Sequence, residues 1–187
     1  MTSSHDVLAD PSAWVKRYSS LIPEDGLVLD LACGAGRHAT LLACLGHHVL
    51  AIDQDVTAIE NLQNPQIQAR KEDLEGAIWP LADQQFSGIV VTNYLYRPFL
   101  DHLPQMLIEG GVLIYETFAD GNARFGKPSN PNFLLKPGEL LALAGRSDMK
   151  VIAYEDIYLD QPKPAMVQRI CAVKGHLKGC IPLQFGG

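Results

Sequence analysis

The chain has 187 residues, 47% of them hydrophobic and 19% charged, with a formal net charge of −6. That length suits one domain whose core needs no disulfide or metal staple, and the composition excludes a disordered or fibrous protein. The acidic balance argues against a broad footprint on DNA or RNA, which depends on neutralising many phosphates, so no nucleic-acid partner is expected.

Residues 1–10 mix polar, acidic and apolar side chains without a basic stretch leading into an apolar run, so no secretory leader is expected. The longest apolar runs, such as 88–91 and 110–114, have strand length and fall far short of the roughly 20 residues of a membrane span. Four cysteines, at 33, 44, 171 and 180, form no C-x-x-C pair and no ligand pattern with the six histidines. They read as reduced thiols of a cytoplasmic protein, and no metal is expected. His47 and His48 are adjacent, and neighbours on a strand point to opposite faces.

In chain order, Ala13, Trp14, Val15, Tyr18, Leu21 and Ile22 recur at near-helical spacing across residues 11–22, with Asp10 placed to cap and Pro11 suited to the first helical position. Residues 1–25 therefore read as an N-terminal helical segment. Residues 27–31 form a buried strand that runs into a glycine-rich turn, 37–45 a helix stopped by Gly46, and 48–52 a second apolar strand. The alternation continues with a helix at 56–62, opened by Asp55 as its cap, and strands at 67–70 and 88–91. A helix at 99–107 and a strand at 112–116 follow. A loop at 118–137, long for a connection without structure of its own, reads as a lid or recognition element and precedes a helix at 138–144. Two strand-like runs, 150–159 and 166–173, have only a proline-containing break between them and are expected to form an antiparallel hairpin. The tail 175–187 carries no assigned role. The fold class that results is α/β: a doubly wound, mostly parallel seven-stranded sheet with helices on both faces and a C-terminal antiparallel hairpin.

Chemistry concentrates at residues 27–38, LVLDLACGAGRH. In an open α/β sheet, ligands sit beyond the carboxyl ends of strands, where a Cβ in the turn would collide with a ligand approaching the backbone; Gly34 and Gly36 are therefore site candidates. The run from Gly34 to Ala39 also fits the dinucleotide fingerprint G-x-G-x-x-A, and Asp53 falls near the position of the ribose-binding acid, so a nicotinamide-dependent oxidoreductase stays open. Asp30, just before the turn, would repel a pyrophosphate and favour a cationic, amino-acid-like ligand. A second acid, Asp73, follows the third strand at a matching position. Each has a plainer reading: Asp30 as an acceptor for backbone amides in a tight turn, Asp73 as a cap, Cys33 as a packing residue.

The stretch VLDLACGAG resembles the first motif of the class I S-adenosylmethionine-dependent methyltransferases, a strand followed by D-x-G-x-G-x-G, with Ala32 in place of the first glycine. The resemblance spans about 27–173, since the closing hairpin is similar to that family's antiparallel sixth and seventh strands. The runs GRHA and NYLYRP further resemble the small tellurite-resistance-type branch. The resemblance implies a Rossmann-like methyltransferase fold and S-adenosyl-L-methionine as cofactor. It implies that Asp30, Ala32, Gly34 and Gly36 cradle the methionine part, that Asp53, with Gln54 beside it, holds the ribose, and that Asp73 and Leu74 bound the adenine. Asn93 and Tyr94 would face the sulfonium and the substrate.

An activated methyl group requires mainly alignment and exclusion of water. Where the acceptor must lose a proton, Glu116 is the first candidate base, ahead of His38 and Tyr115; Glu116 could equally pair with Arg97 or Arg124. Arg97, Arg124 and Lys127, together with Lys136, could form a positive mouth for a small anionic acceptor, with Phe125 and Phe133 packing the loop down. The expected activity is methyl transfer to a small molecule; an RNA or protein methyltransferase is the nearest alternative.

Overall fold

The structure is a computed structural model and describes residues 8–175. Residues 1–7 and the tail 176–187, with Cys180, lie outside the described residues. The strands are β1 (Leu27–Leu31), β2 (His48–Asp53), β3 (Ile67–Lys71), β4 (Phe86–Thr92), β5 (Leu107–Phe118), β6 (Met149–Leu159) and β7 (Ala165–Lys174). The α-helices are α1 (Ala13–Tyr18), α2 (Arg37–Cys44), α3 (Thr57–Glu60), α4 (His102–Gln105) and α5 (Glu139–Gly145). The seven strands form one sheet in the order β3-β2-β1-β4-β5-β7-β6. All neighbours pair in parallel except β7, which is antiparallel to both β5 and β6.

The central strands are apolar at successive positions because both faces of the sheet are covered. Their alternation sorts side chains into two cores. Leu29, Leu31, Leu50, Ile52, Ile89, Val91, Leu113 and Tyr115 pack with Leu103 of α4 and Leu140 and Leu143 of α5. Val28, Val49, Ala51, Val90, Val112 and Ile114 face the other way, onto Trp14, Val15 and Tyr18 of α1, Leu42 of α2 and Ile59 of α3. A helix as short as α1 does not hold alone; burying Trp14, Val15 and Tyr18, worth about 2 kcal/mol each, is what forms it.

Several elements differ from the sequence expectation. The cap of α1 is Ser12, whose Oγ accepts from the Trp14 amide at 3.1 Å, rather than Asp10. The expected helix at 56–62 shrinks to one turn, α3, because Gln63 takes a positive φ ahead of Pro65. Asp55 does cap this turn, accepting from the Thr57 amide at 3.0 Å. The helix expected at 99–107 is a 3₁₀ turn, Arg97–Phe99, followed by α4; Pro104 has no amide to continue a longer helix, and Leu107 already belongs to β5. The segment 118–137 is not structureless: it holds 3₁₀ turns at Asn122–Arg124 and Pro131–Phe133, and Ala119 bridges to Leu135. Between β3 and β4 the chain crosses without a helix.

Strand order reverses between β1 and β4, so the crevice for a ligand opens where their carboxyl ends diverge.

Candidate active site

At that crevice the chain leaves β1 through a bend in which Ala32, Gly34 and Gly36 all have positive φ, 55°, 54° and 85°. The two glycines serve different ends. A Cβ on Gly36 would lie 2.8 Å from Ile59 Cγ1, so this glycine lets α3 pack close to the start of α2. A Cβ on Gly34 would meet nothing within 4 Å, so this glycine borders open space. Asp30 is buried beneath the bend, and its Oδ2 accepts from the Ala39 amide at 2.8 Å. It thus does for α2 what the capping residue Gly36 cannot. Burial pushes the Asp30 pKa up to about 7, raised further by Asp53 and opposed by the Ala39 amide and Arg37. Cys33 is a buried thiol with its pKa pushed up by burial, the opposite of an activated nucleophile.

Asp53 closes β2 at the rim of the open space. Its Oδ2 accepts from the Gly34 amide at 2.9 Å and its Oδ1 from the Asp55 amide at 3.3 Å, which leaves acceptor capacity on both oxygens. Gln54 and Asp73, with Lys71 and Glu72, line an open depression beside it. Asp73 Oδ1 accepts from the Glu75 amide at 2.9 Å, so the turn role is present, and Oδ2 stays available. The Leu74 side chain is buried in the core, so only its backbone can border the depression.

Across the crevice, Asn93 leaves β4 with a φ of 55° and an exposed side chain, while its amide donates to the Glu116 carbonyl at 3.0 Å. The Glu116 carboxylate, its side chain 14% exposed, accepts from Ser12 Oγ at 2.8 Å and from Arg169 Nη1 at 3.1 Å. Its ion-pair partner is thus Arg169, not Arg97 or Arg124. Arg169 also donates to Glu155 at 2.7 Å and lies 4.6 Å from the Trp14 ring, so one guanidinium joins β5, β6, β7 and α1.

His38 and Tyr115 are placed unlike catalytic bases. His38 Nε2 accepts from the Ser12 amide at 3.1 Å and Nδ1 lies 3.3 Å from Thr92 Oγ1, with the ring buried. Burial, aided by the Arg37 charge, holds its pKa down to about 3, and its lone pair is already engaged. The Tyr115 hydroxyl is buried, donates to the Tyr94 carbonyl at 2.7 Å and has its pKa raised by burial. Tyr94 in turn donates to the Leu74 carbonyl at 3.1 Å, its pKa also raised chiefly by burial.

The expected positive mouth loses its central member. Arg97 grips both oxygens of Glu139, at 2.7 and 2.8 Å, and donates to the carbonyls of Asn132 and Leu134, each at 2.7 Å. Burial pushes the Glu139 pKa up, but hydrogen bonds from Arg97 and the Lys136 amide, with the Arg97 charge, outweigh it and hold the carboxyl below its ordinary range. Asn122 pins the same loop, accepting from the Met166 amide at 3.1 Å and donating to the Pro128 carbonyl at 3.0 Å. Gln168, buried in β7, accepts from the Leu140 amide at 2.8 Å and donates to the Lys136 carbonyl at 3.0 Å. Arg124 and Lys127 stay exposed at the tip, where Phe125 packs on Tyr158 at 5.0 Å and Phe133 is 44% exposed.

Sequence reasoning missed Ser12, Arg169, Glu155, Glu139 and Gln168. One signal was present: the turn at 160–164 fixes a hairpin register that sets Glu155 opposite Arg169, and β5 then sets Glu116 opposite Arg169 on its other side.

These residues fit S-adenosylmethionine. A carboxylate with spare acceptor capacity matches ribose hydroxyls, the Gly34 bend leaves room for the chain joining sulfur to the amino acid, and the carboxylates of Asp53 and Asp73 give the site the sign a cationic ligand needs.

The comparisons agree. A family of methyltransferase domains matches residues 28–111. No curated protein matches the chain. Among solved structures, a SAM-dependent methyltransferase from Methanosarcina mazei superposes with a TM-score of 0.67 at 15% identity, covering 89% of this chain and 99% of that one. TehB from Haemophilus influenzae does so with a TM-score of 0.70 at 20% identity, covering 91% of this chain and 64% of TehB. The glycopeptide N-methyltransferase MtfA complexed with S-adenosyl-L-homocysteine gives a TM-score of 0.62 at 18% identity, over 90% of this chain and 92% of that one. At such identities these likenesses show the shared fold, and among the described residues no helix is long and apolar enough to cross a membrane. Residues 28–111 thus match a methyltransferase-domain family, and the chain has the fold of S-adenosylmethionine-dependent methyltransferases.

Proposed function

We propose that this chain is an S-adenosylmethionine-dependent methyltransferase that acts on a small-molecule acceptor held at the carboxyl ends of β4 and β5, with Glu116 receiving the proton the acceptor gives up. The observation that carries this reading is the Glu116 carboxylate itself. It is a sheltered acid at the end of β5, where the Glu116 backbone carbonyl accepts from the Asn93 amide, and its carboxylate is oriented by Ser12 and Arg169 with lone pairs to spare.

The bound cofactor supplies a methyl group already activated by its sulfonium. The chain's residues hold and align. Asp53 takes the ribose hydroxyls, the Gly34 bend accommodates the amino-acid end, and the Asn93 side chain borders the space between donor and acceptor. Ser12 ties α1 to Glu116 at the end of β5, and Arg97 ties down the loop 118–137. The net charge of −6 supports a small acceptor over RNA. An anionic group on that acceptor would meet Arg124 and Lys127 at the loop tip, since Arg97 is committed to Glu139. The reading includes a cytoplasmic enzyme acting without nucleic acid or membrane, which the free thiols of Cys33, Cys44 and Cys171 and the net charge of −6 support.

Incubating the protein with labelled donor and a fractionated cell extract tests the reading. Label is expected in a low-mass product; label confined to RNA or protein would overturn the choice of acceptor.

A further inference from the structure

The crossover from β3 to β4 runs from 72 to 85 without helix or strand, so its backbone carbonyls must find partners elsewhere. Side chains provide them. Arg70 Nη2 donates to the Pro80 carbonyl at 3.2 Å, the Tyr94 hydroxyl to the Leu74 carbonyl at 3.1 Å, and the Tyr96 hydroxyl to the Glu75 carbonyl at 3.1 Å. The two tyrosines stand just past β4, and the Tyr115 hydroxyl, from β5, fixes the Tyr94 carbonyl at 2.7 Å. Phe99 packs between the rings of Tyr96 and Trp79, at 5.2 and 5.0 Å. The shape of the crossover's first turn is therefore dictated by the exit of β4.

That turn carries Asp73. The Glu72 amide donates to the Asp53 carbonyl at 3.0 Å, so the ribose acid and the turn are continuous, and the open depression lined by Gln54, Lys71, Glu72 and Asp73 is where a base attached to that ribose would extend. With Oδ1 used by the Glu75 amide, Asp73 has Oδ2 left, an acceptor that suits the amino group of adenine and repels a carbonyl in the same place.

We infer that Tyr94 and Tyr96 are positioning residues for base recognition: by holding the Leu74 and Glu75 carbonyls they set the Asp73 carboxylate where it reads the adenine amino group. This rests on the cofactor reading above. It concerns a function of two hydroxyls that touch protein rather than ligand.

The test compares S-adenosylhomocysteine with S-inosylhomocysteine, in which an oxo group replaces the amino group, by calorimetry on the full chain. The wild-type protein is expected to prefer the adenosyl ligand by about tenfold, the worth of one hydrogen bond to a charged group. Tyr94→Phe and Tyr96→Phe are expected to bring that ratio down several-fold while the inosyl ligand binds as before. General loosening would weaken both ligands alike, so an unchanged ratio in the variants, or no preference in the wild type, overturns the inference. Tyr96 sits at the rim, so Tyr96→Phe decides the matter if Tyr94→Phe does not fold. A wild-type protein that binds neither ligand would instead overturn the cofactor reading, and this inference with it.

Discussion

The Gly34 amide donates to the Asp53 carboxylate over 2.9 Å, tying the bend after β1 to the end of β2. The same carboxylate shapes the bend and, on the proposed cofactor reading, would offer its remaining lone pairs to the ribose. Asp53→Ala is expected to weaken S-adenosylhomocysteine binding by about tenfold or more, measured by calorimetry. Unchanged affinity would remove Asp53 from the site.

Ala32 stands at a φ of 55°, where an L side chain crowds its own backbone. Glycine at this position relieves about 1–2 kcal/mol of strain and gives back part of it as unfolded-chain entropy. Ala32→Gly is expected to stabilise the protein by about 0.5–1 kcal/mol, raising the thermal midpoint by about 1–3 °C. Asn93→Gly, at the same φ, is expected to change stability less, because asparagine tolerates this region. Equal effects at both sites would contradict the strain argument.

Asp30 and His38 pull stability in opposite directions with pH. Burial raises the Asp30 pKa from 3.8 to about 7, so between those values the folded state holds a proton the unfolded state has released, and stability falls as pH rises. Burial lowers the His38 pKa from 6.5 to about 3, so between those values the unfolded state holds the extra proton, and stability rises with pH. Asp30→Asn keeps an acceptor for the Ala39 amide and removes only the first contribution. Urea midpoints at about pH 5 and pH 7.5 should show the variant gaining stability relative to the wild type at the higher pH. A pH-independent difference would contradict the raised pKa.

Arg97→Lys should loosen the loop at 118–137, since an ammonium cannot span both Glu139 oxygens and two carbonyls. A loss of about 1–3 kcal/mol is expected, with faster hydrogen exchange at the Leu135 and Asp120 amides, which close the loop's base. Exchange confined to the tip would show that Asn122 and Gln168 suffice.

Glu116→Gln is expected to leave S-adenosylhomocysteine affinity unchanged and to lower methyl transfer by about tenfold or more for an acceptor that must shed a proton. Full activity in the variant would leave the residue as a structural partner of Ser12 and Arg169.

What could be read in advance follows the range of the forces involved. Strands β1, β2 and β4 announced themselves because burial on two faces writes itself into consecutive residues, the hairpin because only a proline-containing break separates its two runs, and the glycine bend because Gly34 and Gly36 mark special backbone. Asp30, Asp53 and Asp73 could be named as candidates from position alone; that Asp30 is sealed beneath the bend could not. The fate of Arg97 depended on Glu139, 42 residues away, and that of Glu116 on Arg169, 53 away, contacts that no local pattern encodes. The short lengths of α3 and α4 turned on Gln63 and Pro104, single residues whose backbone limits outweighed an apolar period.

The helix-free passage from β3 to β4 also marks where the molecule can be lengthened. Ala82 and Asp83 are exposed on a turn there, downstream of the carbonyls that Tyr94, Tyr96 and Arg70 secure, and no helical phase has to be kept on either side. Because closing a longer loop costs only about 0.6 kcal/mol per doubling, a short peptide tag or reporter grafted between them offers an attachment point that spares the catalytic crevice.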